Sequence, residues 1–224
     1  MNRIMYLFGI AILIGSLVTL SSCKKEDDPG PAKVAFINAS PDGGIMNVVI
    51  KDSASYFGSV GFSSFISYKN VDPGNQVINV KDKSNGSTLI NSSYDFGGDK
   101  AYTLVALNPK SSLEVIVFND THETPDTSMA YLRFAHLISN GPSVDIYIDG
   151  VKVSNSLSYK QYTNFGSVAA KPITVEVKLP GTSVALFSLS NYKVAAGKSY
   201  TIFAYGLIGG SGLNAPGLNS MLNN

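Results

Sequence analysis

Apolar and polar residues alternate with a period of two along much of this chain. Val144, Ile146 and Ile148 face one way and Asp145, Tyr147 and Asp149 the other, the pattern of a half-buried β-strand. Asp149-Gly150 follows, a pair suited to the positive backbone dihedrals of a two-residue hairpin turn. Further strands are predicted over 173–179, 184–190 and 199–207, and in the first half over 76–81, 88–94, 101–107 and 113–118. Turn signals at Asp72-Pro73-Gly74, Asn85-Gly86, Gly97-Gly98, Pro180-Gly181 and Ala196-Gly197 separate them. Amphipathic helical stretches are hard to find. The expected fold class is all-β.

The strand pattern occurs twice. Val34-Ala35-Phe36-Ile37-Asn38 lines up with Leu132-Arg133-Phe134-Ala135-His136, and Lys100-Ala101-Tyr102-Thr103-Leu104 with Lys198-Ser199-Tyr200-Thr201-Ile202, both 98 residues on. Between them Val60, Phe62, Phe65, Tyr68 and Val71 match Leu157, Tyr159, Tyr162, Phe165 and Val168 at an offset of 97. A one-residue shift across a whole unit is the mark of a loop insertion in a duplicated domain. About seven short strands per unit predict two tandem immunoglobulin-like β-sandwiches. The tail after Leu207 is Gly- and Asn-rich, and by analogy with 113–118 it supplies the last strand of the second unit. The linker joining the units is too short for free tumbling, and an end-to-end arrangement with limited bending is expected.

The N-terminus breaks the pattern. Arg3 is followed by an uncharged apolar run from Ile4 to Leu20, the form of a secretory signal and somewhat shorter than a spanning helix prefers. Leu20-Ser21-Ser22-Cys23 at its end resembles the bacterial lipobox. That resemblance implies recognition of Leu20, Ser21 and Ser22 by a signal peptidase, lipidation of the Cys23 thiol and cleavage before it. Two or more acyl chains on Cys23 would anchor the chain stably to a membrane. The run from Lys24 to Asp28 and Pro29-Gly30-Pro31 reads as a solvated tether. A Lys followed by acidic residues after the Cys also resembles an export signal to the outer face of the outer membrane. The expected organisation is therefore 1–22 signal peptide, 23–31 lipidated Cys and tether, 32–119 first module, 120–129 linker and 130–224 second module.

Composition removes several chemistries. Cys23 is the only cysteine, so no disulfide and no Cys-based zinc site forms in the modules. Removal of the signal leaves 16 basic and 16 acidic residues with no basic block, which argues against nucleic acid as a partner. His122 lies in the linker and His136 on a strand where the other unit has Asn38, so a two-His metal site would have to form across the junction. No base is paired in sequence with any of the many serines, and no catalytic residue is assigned. Asp145 and Asp149 are expected on a solvated face and in a turn, about 13 Å apart. Asp42 alone makes a poor calcium site in the Ser40 to Gly44 loop, and no cofactor or metal is expected. Tyr147, Tyr159, Tyr162 and Phe165 cluster in sequence. Their counterparts Val49, Phe62, Phe65 and Tyr68 are as apolar, which fits packing in a core or between the units. As a surface, Tyr147, Tyr159 and Tyr162 are the candidate ligand contacts, because Tyr stacks on sugars or packs against peptides.

The runs Leu132 to His136, Val144 to Gly150 and Ala196 to Thr201 together resemble the family called domain of unknown function 4397. The first unit departs from it, with Asn47 for the Asp, Lys51-Asp52 for Asp-Gly and Asp99 for the Gly before Lys100. The resemblance implies tandem β-rich modules in secreted or lipid-anchored bacterial proteins and no catalytic residues. The reading at this point is a lipid-anchored protein of the cell envelope, on the outer membrane and exposed at the surface, with a non-catalytic role in binding or adhesion. Its expected partners are the membrane, through the lipid on Cys23, and a glycan or protein ligand. The alternative is a structural or assembly component of the outer membrane and periplasm, and a glycan-acting hydrolase comes third.

Overall fold

The computed structural model describes residues 29–50, 55–124 and 126–223. Leu20, Ser21, Ser22, Cys23 and the Lys51-Asp52 turn lie outside them. The first module contains β1 (Ala32–Asn38), β2 (Met46–Ile50), β3 (Ser55–Val60), β4 (Phe65–Val71), β5 (Gly74–Asp82), β6 (Thr88–Phe96), β7 (Ala101–Leu107) and β8 (Glu114–Asn119). The second contains β9 (Met129–His136), β10 (Val144–Ile148), β11 (Val151–Leu157), β12 (Gly166–Ala169), β13 (Pro172–Lys178), β14 (Ala185–Lys193), β15 (Ser199–Tyr205) and β16 (Gly217–Leu222). Each module is a sandwich of two four-stranded sheets, with eight strands rather than about seven. The orders are β4-β1-β7-β8 over β3-β2-β5-β6, and β12-β9-β15-β16 over β11-β10-β13-β14. All pairings are antiparallel except β1 with β7 and β9 with β15. The tail strand exists as β16, antiparallel to β15. Among the described residues no helix is long and apolar enough to cross a membrane.

Turn chemistry follows the residues. Asp149 and Gly150 both have positive φ, 47° and 81°, as the hairpin between β10 and β11 requires. Asp99 has φ 57° where its counterpart Gly197 has φ 70°, so the first module keeps the left-handed turn with a residue type that tolerates it. His136 and Asn38 also do one job. Asn38 Oδ1 accepts the Ser40 N–H at 3.1 Å and its Nδ2 donates to the Gly44 carbonyl at 3.1 Å. His136 Nδ1 accepts the Ile138 N–H at 3.3 Å, and its Nε2 lies 2.9 Å from the Pro142 carbonyl. Each pins the loop leaving the first strand of its module.

Each sandwich has its own core. Val34, Phe36, Leu104 and Ile78 meet in the first, and Leu132, Phe134, Ile202 and Val175 in the second. A third core joins the modules. Ala35, Ile37, Val105, Leu107 and Phe118 of the first pack against Ala135, Leu137, Phe203 and Met221 of the second. Phe118 and Met221 come from β8 and β16 and Leu137 from just past β9; the others come from the opposite faces of β1, β7, β9 and β15, which are therefore buried on both sides. The expected end-to-end arrangement is thus overturned. The sheets containing β1 and β9 pack face to face, because both carry apolar residues on both faces.

Candidate binding cleft at the module junction

A polar chain crosses the third core beside its apolar part. Arg133 on β9 is fully buried, where the first module has Ala35. Its Nε donates to Thr201 Oγ1 at 2.8 Å, one terminal nitrogen to the Asn119 carbonyl at 3.1 Å, and the other to Asp120 Oδ1 in a buried ion pair. Asp120 Oδ2 accepts from Thr103 Oγ1 at 2.5 Å and from the Tyr68 hydroxyl. Asn223 closes the chain, donating to the Tyr68 oxygen at 2.7 Å and accepting from Thr201 at 2.8 Å. Burial, and then the Asp120 charge, push the Tyr68 hydroxyl well above its ordinary value, so it stays a donor. The Arg133 guanidinium also lies over the rings of Phe118, Tyr162 and Phe165, 5.1, 5.3 and 4.8 Å from their centroids. Sequence reasoning passed over Arg133, although a lone charge in the apolar run Leu132 to Ala135 was its signal.

The linker is part of this junction. Asp120 is buried, and His122 stacks on Phe165 with centroids 3.8 Å apart. His122 Nδ1 lies 2.7 Å from the Asp120 carbonyl, which fixes it as the donor there. Its Nε2 lies 2.7 Å from Ser199 Oγ. That is a serine–imidazole contact of the kind a nucleophile needs. Ser199 is wholly buried, however, so a substrate carbon has no approach to its oxygen. The two histidines bind different groups and share none.

Outside Arg133 and Phe165 lies a cleft of about 440 Å³, walled by His122, Glu123, Tyr131 and Tyr162. Tyr162 also walls a neighbouring cleft of about 490 Å³ with Lys160, Gln161 and Thr163. Tyr162 and Thr163 are common to both. The Tyr162 ring packs on Phe118 with centroids 4.1 Å apart and is 37% exposed. Tyr159 is committed elsewhere in the junction. Its hydroxyl donates to Asn108 Oδ1 at 2.7 Å, and burial, with the Glu114 charge second, pushes it up to about 12. Tyr147 lies apart from both, on the face of β10 that points away from the second core, with Lys178 and Lys152 ammonium groups 4.5 and 5.5 Å from its ring centre. The three tyrosines therefore do not form one patch.

Other predicted groups have protein partners. Asp145 is 2% exposed rather than solvated. The β11 strand bends so that Lys152 reaches its carboxylate at 2.6 Å while the Ser156 N–H donates at 2.8 Å, and these bonds hold the carboxyl below its usual range. Asp149 binds Lys171 at 2.8 Å and the Thr174 N–H at 2.8 Å. Asp42 accepts the Lys110 N–H at 2.7 Å. Among the described residues no group of three or more His, Cys, Asp or Glu is placed to hold a metal ion.

No curated protein matches the sequence. Among solved structures, the carbohydrate-binding module CBMbc of family 26 from Eubacterium rectale Amy13K, in complex with maltoheptaose, is 11% identical with a TM-score of 0.26, covering 85% of this chain and 95% of that one. A proposed cell adhesion protein from Bacteroides ovatus ATCC 8483 is 7% identical with a TM-score of 0.24, covering 87% and 96%. Another from Bacteroides fragilis NCTC 9343 is 12% identical with a TM-score of 0.23, covering 88% and 98%. At these scores the likeness is too slight to define fold or function. The family model is decisive, matching residues 32–147 and 130–215, two overlapping segments that together run from β1 through β15. The chain belongs to the family described as domain of unknown function DUF4397.

Proposed function

We propose that this chain is a lipid-anchored protein of the cell envelope that binds a glycan at the bacterial surface without changing it chemically. The observation that carries the reading is Tyr162, a part-exposed ring common to the walls of two clefts, seated on Phe118 and Arg133 so that it is held rigid. A fixed aromatic face stacks on a sugar ring, and the Gln161 and Asn164 side-chain amides beside it are offered to sugar hydroxyls. Clefts of this size fall within the usual range for small-ligand sites, about 300–1,000 Å³. The burial of Ser199 supports a role without bond-breaking. Lipidation of Cys23 would tether the modules at the membrane through the short run before Pro29.

A thermal-shift panel of neutral hexasaccharides tests this. At least one, with mannohexaose as the reference probe, raises the melting temperature of the full chain, Tyr162→Ala removes the shift and Tyr147→Ala keeps it. A panel that shifts nothing, or a shift untouched by Tyr162→Ala, contradicts the reading.

A further inference from the structure

The junction has a second cleft, beyond the buried Arg133–Asp120–Tyr68 chain. It has a volume of about 480 Å³ and is walled by Phe65, Tyr68, Ser67, Asn70, Lys33 and Leu222. Counted across the duplication, this is the same place as the first cleft. Phe65 corresponds to Tyr162, Ser67 to Asn164, Tyr68 to Phe165 and Asn70 to Ser167, each 97 residues on, and Lys33 corresponds to Tyr131, 98 on. The last strands complete the match. Tyr102 pairs with Asn119 and its counterpart Tyr200 with Leu222, so Leu222 stands where Asn119 does. In the first cleft the second module gives the aromatic wall and the first module the final strand. In the second cleft these roles are exchanged, so a pseudo-two-fold relation between the modules generates both.

The two clefts differ in chemistry. Thr121, His122 and Glu123 of the linker wall the first and are absent from the second, and in the first the imidazole covers Phe165. Lys33 stands in the second where the first has Tyr131. A further cleft of about 450 Å³ adjoins it, sharing Lys33, Asn70 and Asn223, adding Lys100, and reaching Thr121 and His122. Its two carboxylates are already engaged: Asp99 accepts the Gly30 N–H at 3.1 Å, and Asp120 is paired with Arg133. The second cleft thus joins a ring wall at Phe65, hydroxyl and amide groups at Ser67 and Asn70, and two exposed ammonium groups.

We propose that the Phe65 cleft is a second glycan site, specific for an acidic sugar. The uronate ring packs on Phe65 and its carboxylate faces Lys33 and Lys100. This extends the glycan-binding reading given above for Tyr162, and it makes each chain bivalent, with two unlike sites at one junction. Two weak sites held at a fixed spacing bind a polymer of mixed sugars more tightly than either alone.

Calorimetric titration of the full chain with hexagalacturonate, and separately with mannohexaose, tests the proposal. Lys33 and Ser67 are exposed, so Lys33→Gln and Ser67→Glu leave the cores intact. Each is expected to weaken hexagalacturonate binding by about tenfold or more, through loss of a charge-assisted contact or gain of a like charge. Asn164→Glu, at the matching place of the first cleft, leaves hexagalacturonate binding unchanged and weakens mannohexaose binding. Absence of hexagalacturonate binding, or binding that neither Lys33→Gln nor Ser67→Glu alters, overturns the second site. The Tyr162 reading is decided separately, by the neutral panel and Tyr162→Ala, so either fails without the other.

Discussion

At the scale of single residues, the duplication lets one side chain explain another. His136 and Asn38 make the same two loop bonds with different chemistry. His136→Asn should therefore keep near wild-type stability, whereas His136→Ala leaves buried loop groups unpaired and should cost about 1–3 kcal/mol in urea unfolding. The imidazole adds a pH dependence that Asn lacks. Burial holds folded His136 below its ordinary 6.5, so as pH falls the unfolded chain takes up the proton first. Its contribution is whole above about pH 6.5 and is lost as pH drops through that value toward the folded one. Stability measured between pH 7 and 5 should fall less steeply in His136→Asn than in wild type. Asp120 and Arg133 call for a double-mutant cycle. Removing either partner strands a buried charge and should cost about 3–5 kcal/mol, while Asp120→Leu with Arg133→Met together should cost much less.

At the scale of elements, the strands and turns were the legible part. Alternation at Val144 to Ile148 and the Asp149-Gly150 pair name β10 and its hairpin before any coordinate does. The tail was legible only by analogy, because Gly217 to Leu222 has little apolar content of its own and becomes a strand by pairing along β15. The loop before it depends on backbone contact instead. Gly206 has φ 98°, and a Cβ there would stand 2.5 Å from the Ala215 carbonyl oxygen. Gly206→Ala should cost about 1–3 kcal/mol or more, and Gly61→Ala, with open space around it, should be near neutral. Melting temperatures of the two variants check the contrast. The candidate site was legible only in part. Tyr159, Tyr162 and Tyr147 are near in sequence, but β10 turns Tyr147 outward while the stretch after β11 carries the other two into the junction. Only the pairing of sheets separates them.

At the scale of the whole molecule, the third core makes two modules one body. The run Val34 to Ile37 is apolar at consecutive positions, and Leu132 to Ala135 is so but for Arg133, the signature of strands buried on both faces. That signature foretells a partner for the second face, yet it does not say that the partner is the other module. Because the cores share β1, β7, β9 and β15, the modules should unfold in a single transition seen equally by tyrosine fluorescence and circular dichroism. Two separated transitions would mean that the shared core contributes little. The most direct test of the account as a whole is retention of fluorescent glycan by intact cells that express this chain. With the glycan that best shifts the purified protein, wild-type cells should hold the label, and cells with Cys23→Ala or Tyr162→Ala, expressed to the same level, should not. Cells that carry the wild-type protein and hold no more label than the two variants would contradict a surface-anchored glycan-binding protein.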